Sequence, residues 1–448
     1  MQKFLLAFVS ILFFYNCSFH ELPPADPQLL TDTDLLHRNT DQLTQVIIHD
    51  MFSPPVSSRI YSYTALAAYE AIRFQKPGYP SLTAQMHGFA PMPEPEKNKP
   101  YNYLLAATKA FFTVAEKITF SKDTLAKYED KVYKDFASLL DNETYKRSVA
   151  FGEAVGKKIL ERTAIDKYKE TRGMPKFLGT NDPGKWRPTP PDYLDAAEPH
   201  WSKIMPLVVD SASQIKCPPP PPYSTEKNSA FYKTAIEVYT IGKTLTDEQR
   251  TIAKYWDDNP FVMEHAGHMM YGNKKITPVG HWIGITTIAT KKKHLDAVET
   301  AQTYALTASA IFDAIISCWD TKFKTQLVRP ITIINEFIDP TWQPLLQTPP
   351  FPEHTSGHSG ISAAAATILT NRLGDNFAFE DTSDLPYIGM KRNFQSFMQA
   401  ALEASISRVY GGIHYRTGVE SGTEQGKKVA DYVLNKIKLG PLPPGGGT

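Results

Sequence analysis

The chain has 448 residues, enough for one large domain or two tightly packed ones. Its 48 lysines and arginines face 47 aspartates and glutamates, so no global field favours nucleic acid or an anionic membrane surface. A site for an anion has to be built locally.

The N-terminus reads MQKFLLAFVSILFFYNCSFH, an apolar run from Phe4 to Tyr15 followed by Cys17. That run is too short to span a bilayer and suits the core of an export signal. Residues 1–17 are expected to be a signal peptide, with Cys17 as a lipid anchor; plain secretion is the alternative. Residues 18–40 are expected to be flexible. The location implied is periplasmic, on the outer membrane as a lipoprotein, or secreted. No later segment has the length and apolarity of a membrane helix. Cys217 and Cys318 alone remain, too few for a disulfide framework.

Apolar residues recur at three- and four-residue steps over 57–73, 101–118 and 143–163, which predicts helices. From Gly173 to Tyr223 prolines forbid regular structure, yet Trp186 and Trp201 are available to pack. That stretch is expected to be a connector laid across a helical body. Helices resume at 228–243 and at Thr246, where Thr246 and Gln249 have capping-box spacing. The longest is predicted from about Asp296 to Lys322, with Tyr304, Ala308, Phe312, Ile315 and Trp319 as its buried stripe. Period-two strands are scarce. The fold class is all-α, helical bundles packed side by side over 41–438, with a disordered tail at 439–448.

The chemistry-bearing residues collect between 296 and 438. Lys322 and Arg329 are seven residues apart, and Pro330 biases Arg329 out of the helix into a rigid turn. Within PPFPEHTSGHSG, residues 349–360, a helix is predicted to begin near Ser356. Its first N–H groups and positive dipole end suit an anion, Gly357 permits close approach, and His358 can exchange a proton there. A further helix is predicted from about Lys391 to Val409, broken by Gly411 and Gly412. It places Arg408 six residues before His414, and Thr417 with Glu420 has capping-box spacing for the final helix.

In order, these clusters read Lys-x6-Arg-Pro, Ser-Gly-His and Ser-Arg-x5-His. The combination resembles the signature of the vanadium-dependent haloperoxidases and of the type 2 phosphatidic acid phosphatase superfamily that shares their site. YWDDNP at 255–260 and TPVGHW at 277–282 resemble segments of bacterial haloperoxidase-like proteins. The resemblance implies one vanadate, in the core of the C-terminal bundle. Its vanadium would be coordinated by His414 and its oxygens held by Lys322, Arg329, Ser356, Gly357 and Arg408. His358 would accept a proton from hydrogen peroxide, and Lys322 would polarise the oxidant for attack by halide, iodide first and bromide second. Trp319, Asp320, Phe351 and His354 are the implied halide-pocket residues, and Asp257 or Asp258 the implied partner of a binding arginine.

One departure stands out. The family's usual His-x3-Asp is His-x3-Gly here, with Gly418 where an aspartate supports the apical histidine. Glu420 is one replacement to consider. The competing function is a phosphatase of the same superfamily, with His414 as nucleophile. A divalent-metal site seeded by Glu264, His265 and His268 lacks a further ligand of evident spacing.

Overall fold

The computed structural model describes residues 25–441 apart from 267 and 273, without the side chains of 263–266 and 269–271. The leader expected at 1–17 and the tail from 442 onward lie outside the described residues. The first bundle comprises α1 (Asp34–His49), α2 (Pro54–Ile72), α3 (Tyr103–Ile118), α4 (Lys122–Leu139) and α5 (Asn142–Ile165), with the short α6 (Tyr168–Arg172) after it. Helix α1 starts inside the stretch expected to be flexible to residue 40. Its Leu35, Leu36, Leu43, Val46 and Ile47 make a buried face, and that face orders the segment. At the other end Leu439 packs on the core and the Pro441 carbonyl accepts from Arg372, so the expected loose tail does not begin at 439.

The second bundle contains α7 (Ala230–Lys243), α8 (Asp247–Tyr255), α9 (Pro278–Lys292), α10 (Ala297–Thr325), α11 (Pro330–Phe337), α12 (Gly357–Leu373), the short α13 (Leu385–Ile388), α14 (Phe397–Tyr410) and α15 (Arg416–Lys436). Two small antiparallel sheets pair β1 (Met263–Ala266) with β2 (Met269–Gly272), and β3 (Phe379–Asp381) with β4 (Arg392–Phe394). Glu264 and His265 lie in β1, with side chains outside those described. Strand β4 replaces the start expected for the helix at Lys391. Phe394 pairs with Phe379 in the ladder, and Ser396 caps α14 by accepting the Gln399 N–H.

Helix α10 joins the two bundles. It packs along α2 on one side and against α12 and α15 on the other, and one continuous apolar core runs through both halves. The capping box of Asp296 and Glu299 starts it, and Gln326, in the left-handed conformation at φ 52°, ends it. Thr246 and Gln249 close the expected capping box on α8. Thr417 and Glu420 do not: α15 starts at Arg416 with no side-chain cap, and Glu420 faces solvent.

The proline-rich connector is ordered because its backbone groups find fixed partners. Asp313 on α10 accepts the N–H groups of Leu207, Val208 and Val209 at 2.7–2.9 Å. Trp186 donates its N–H to the Gln326 carbonyl at 2.7 Å, and Val328 donates to Gly184 at 3.0 Å. The connector therefore straps down the short turn between α10 and α11, the turn that separates Lys322 from Arg329.

Helix α15 approaches α12 on a face of glycines four residues apart. A Cβ on Gly422 would lie 2.5 Å from the Ser356 carbonyl oxygen, and one on Gly426 would lie 2.1 Å from that of Gly360. Both spacings forbid a side chain. Gly426→Ala should push the helices apart and cost about 1–3 kcal/mol, the usual range for overpacking. Urea unfolding monitored by circular dichroism measures this; an unchanged midpoint would mean that the contact gives way freely.

Candidate active site

Lys322 leaves the last turn of α10, Arg329 stands at the N-cap of α11, and Arg408 lies in the last turn of α14. All three are fully buried, at 0% exposure. Lys322 Nζ donates to the Pro352 and Glu353 carbonyls at 2.8 and 3.0 Å. Arg329 donates Nε–H to the Phe351 carbonyl at 2.8 Å and an Nη1–H to that of Ile413 at 2.7 Å. Its Nη2 is buried and has no partner. Arg408 donates to the backbone carbonyls of Trp256 and Asp257.

The carboxylates expected beside Arg408 are engaged elsewhere. Asp257 pairs with Lys275 and Asp258 with His281, so the backbone of this turn meets the guanidinium. Burial, chiefly, lowers Arg329 and Arg408 to about 10, and both stay cationic at neutral pH. Burial, then Arg329, lowers Lys322 to about 7.

Ser356 caps α12, whose first N–H groups lack intrahelical partners. Its hydroxyl oxygen accepts from the Ser359 N–H and hydroxyl at 3.3 and 2.9 Å, which leaves its own proton to donate. His358 sits in the first turn, with Nε2 3.3 Å from Arg408 Nη1. Burial, then Arg408, holds it well below the usual histidine range.

His414 Nδ1 lies 2.7 Å from Glu353 Oε1, which also accepts the Tyr415 N–H at 3.1 Å. Arg329 Nη1 stands 3.1 Å from His414 Nε2. These partners select the tautomer with the proton on Nδ1 and the lone pair on Nε2. Burial, followed by Arg329, Lys322 and Arg408, keeps the ring neutral far into the acid range.

Glu353 was not singled out in the sequence. Its signal was the gap at Gly418: a Cβ there would lie 2.2 Å from Glu353 Oε1. The supporting carboxylate has moved to another segment, and the glycine makes room for it. Glu420, the replacement considered above, is exposed and takes no part.

A cavity beside these groups is lined by His358, Arg408, His414 and Gly357, with Trp319, Phe351, Phe261 and Ile413 as apolar wall. Trp319 and Phe351 pack with ring centroids 5.2 Å apart, and Lys322 Nζ sits 5.0 Å from the Phe351 centroid. Asp320 and His354 are not in that wall. Asp320 pairs with Lys324 one turn along α10 at 2.6 Å, and His354 Nε2 bonds the Pro218 carbonyl at 3.1 Å.

Comparison with known proteins bears on this arrangement. The crystal structure of a bacterial vanadium-dependent iodoperoxidase is 44% identical, covers 94% of this chain and 98% of its own, and superposes with a TM-score of 0.86. The chain belongs to the vanadium-dependent haloperoxidase family. Residues 302–439 match the family described as the VCPO second helical-bundle domain. Holo and apo bacterial vanadium-dependent chloroperoxidases, each 16% identical, share the fold at TM-scores of 0.68 and 0.63. They cover 92% and 86% of this chain, and 95% of their own in each case. No curated protein matches the chain.

The cofactor of this haloperoxidase family is vanadate, and the residues present fit an oxyanion. Three buried cations meet mostly neutral carbonyls, Arg329 Nη2 has no acceptor, and His414 Nε2 offers a lone pair toward them. Buried charge of this kind has to be paired.

Two outcomes follow. Removing the group that orients a metal-bound histidine typically costs about 10–100-fold in affinity, so Glu353→Ala should lose vanadate to that extent. Adding Gly418→Asp to Glu353→Ala should restore part of it, whereas Gly418→Asp alone should clash. Equilibrium dialysis with vanadate measures all three; a double variant no better than Glu353→Ala would refute the exchange of positions.

The second concerns Lys322, charged below about 7 and increasingly neutral above it. A bound oxyanion favours the charged form, so binding at about pH 8 should take up close to about one proton, with affinity falling as pH rises. Phosphate calorimetry in buffers of different ionisation enthalpy reads this, and Lys322→Met should lower the uptake to what Glu353, itself near about 7, contributes. Equal uptake in both proteins would remove Lys322 from the account.

Proposed function

We propose that the protein oxidises halide with hydrogen peroxide at a single vanadate, with iodide as its preferred substrate. The observation that carries this reading is the unpartnered Arg329 Nη2 among three buried cations, beside a neutral histidine whose Nε2 lone pair faces the same guanidinium. His414 Nε2 would bind vanadium. Lys322, Arg329, Arg408, the Ser356 hydroxyl and the Gly357 N–H would hold the oxygens, with the arginine forks suited to paired contacts. When bound, vanadate supplies a Lewis acid that activates hydrogen peroxide without changing its own oxidation state.

The protein residues then divide the remaining work. His358, neutral because it is buried beside Arg408, accepts the proton that hydrogen peroxide gives up. Lys322 and the arginines hold positive charge against the oxygen that halide attacks. Trp319, Phe351 and Ile413 make an apolar approach. Iodide suits such a wall because it is large, weakly hydrated and the easiest of the common halides to oxidise. The 44% identity to an iodoperoxidase supports the same choice.

Apo-protein given vanadate should gain peroxide-dependent iodide oxidation, and phosphate should compete because it seeks the same cations. His414→Ala should abolish oxidation while leaving phosphate binding. Vanadate-independent phosphoester hydrolysis without any halide oxidation, measured on the same sample, would overturn the reading in favour of a phosphatase.

A further inference from the structure

Behind the turn that seats Arg408 lies a second buried group of charges. His281, in the first turn of α9, is 0% exposed and has carboxylates at both ring nitrogens. Asp258 lies 3.0 Å from Nδ1, with Asp384 at 3.6 Å on the same side, and Asp381 lies 2.9 Å from Nε2. An imidazole that serves acceptors at both nitrogens carries both protons, so this ring is a cation. Burial opposes that charge, but Asp258, Asp381 and Asp384 together raise His281 well above the usual histidine range. Trp256 stacks on the ring at 4.4 Å, with the planes 18° apart, and faces the cation with its π-surface.

The two residues that His281 grips belong to the segment that holds the oxyanion machinery. Trp256 and Asp257 give their carbonyl oxygens to Arg408, and the Asp257 carbonyl also accepts from His358. Asp258, in the left-handed conformation at φ 43°, closes the turn and lines the cavity. Neither carbonyl can aim Arg408 or His358 unless this strained turn is fixed from behind. The stack on Trp256 and the ion pair with Asp258 hold it from the side of α9, alongside the Glu403 contact to the Trp256 indole and the Lys275 pair with Asp257.

We propose that His281 is a positioning residue of the oxyanion site: by holding Trp256 and Asp258 it aims the carbonyls that set Arg408 and His358. It touches neither the anion nor the reacting atoms. The proposal rests on the oxyanion reading given above.

Vanadate and inorganic phosphate binding to the full-length apo-protein tests it, with thermal unfolding as the check on folding. His281→Gln should weaken both anions by at least about tenfold, the scale on which supporting contacts act. In an Arg408→Ala background the same substitution should cost much less than in the wild type, because most of its effect passes through Arg408. Losses that simply multiply would overturn the proposal, since a general structural effect behaves in that way. Should His281→Gln fail to fold, Asp258→Asn keeps the shape of the turn while severing the ion pair. It is expected to weaken the anions in the same direction, and full affinity in that variant would refute the role. A stoichiometric divalent ion in purified wild type, absent from His281→Gln, would also overturn it by making His281 a ligand. Failure of wild type to bind vanadate at all would instead count against the proposed function.

Discussion

Three cations without access to water are the constraint around which the second bundle is arranged. Lys322, Arg329 and Arg408 come from three different helices, and each end is set so that its side chain points inward. The protein meets them largely with backbone carbonyls, while the charge of Glu353 acts on Lys322 and Arg329 and the charges of Asp257 and Asp258 act on Arg408. Glu353 is itself pushed up to about 7, by burial first and against the two cations. A cage that is short of negative charge and desolvated has strong reason to admit an anion, and little means of surviving its own repulsion otherwise.

Holding that cage open requires rigidity from parts of the chain that never touch it. The first bundle buries the other side of α10, so the helix carrying Lys322 cannot tilt away. The connector ties the turn after α10 through Gln326 and Val328, and Asp313 fastens the connector in turn. Glycines at 418, 422 and 426 bring α15 against the capped end of α12 and leave room for Glu353. Each contact is local and modest. Their common effect is to deny the cations any relaxed alternative.

Much of this was legible in the sequence because the signals are local. Periodicity marks the helices, Thr246 and Gln249 mark a cap, and Pro330 marks where Arg329 leaves the helix. What sequence spacing cannot carry is which distant segment supplies a partner. Glu353 and Gly418 illustrate this: a missing aspartate in one segment is answered by a carboxylate in another, and the glycine matters through the side chain it lacks. Asp320 fails as a pocket residue for the converse reason, since Lys324 one turn away captures it before it can face the cavity. Thr417 and Glu420 show that cap spacing is insufficient alone. The helix begins earlier, where Glu353 already holds the Tyr415 N–H.

Three histidines in this bundle show how one residue type takes different tasks from its surroundings. His414 is neutral because cations press on it and a carboxylate takes only its Nδ1 proton, so its other nitrogen faces the cage. His358 is neutral because it is buried next to Arg408, and it can receive a proton. His281 is equally buried, yet carboxylates at both nitrogens make it a fixed cation. Burial alone would make all three neutral. The sign of the nearest charges decides whether a buried ring stays neutral or becomes a fixed cation, and the turn at 256–258 connects His281 to His358 through Arg408. A change at His281 therefore reaches the site as a displaced guanidinium, without altering any group that meets the anion except by position.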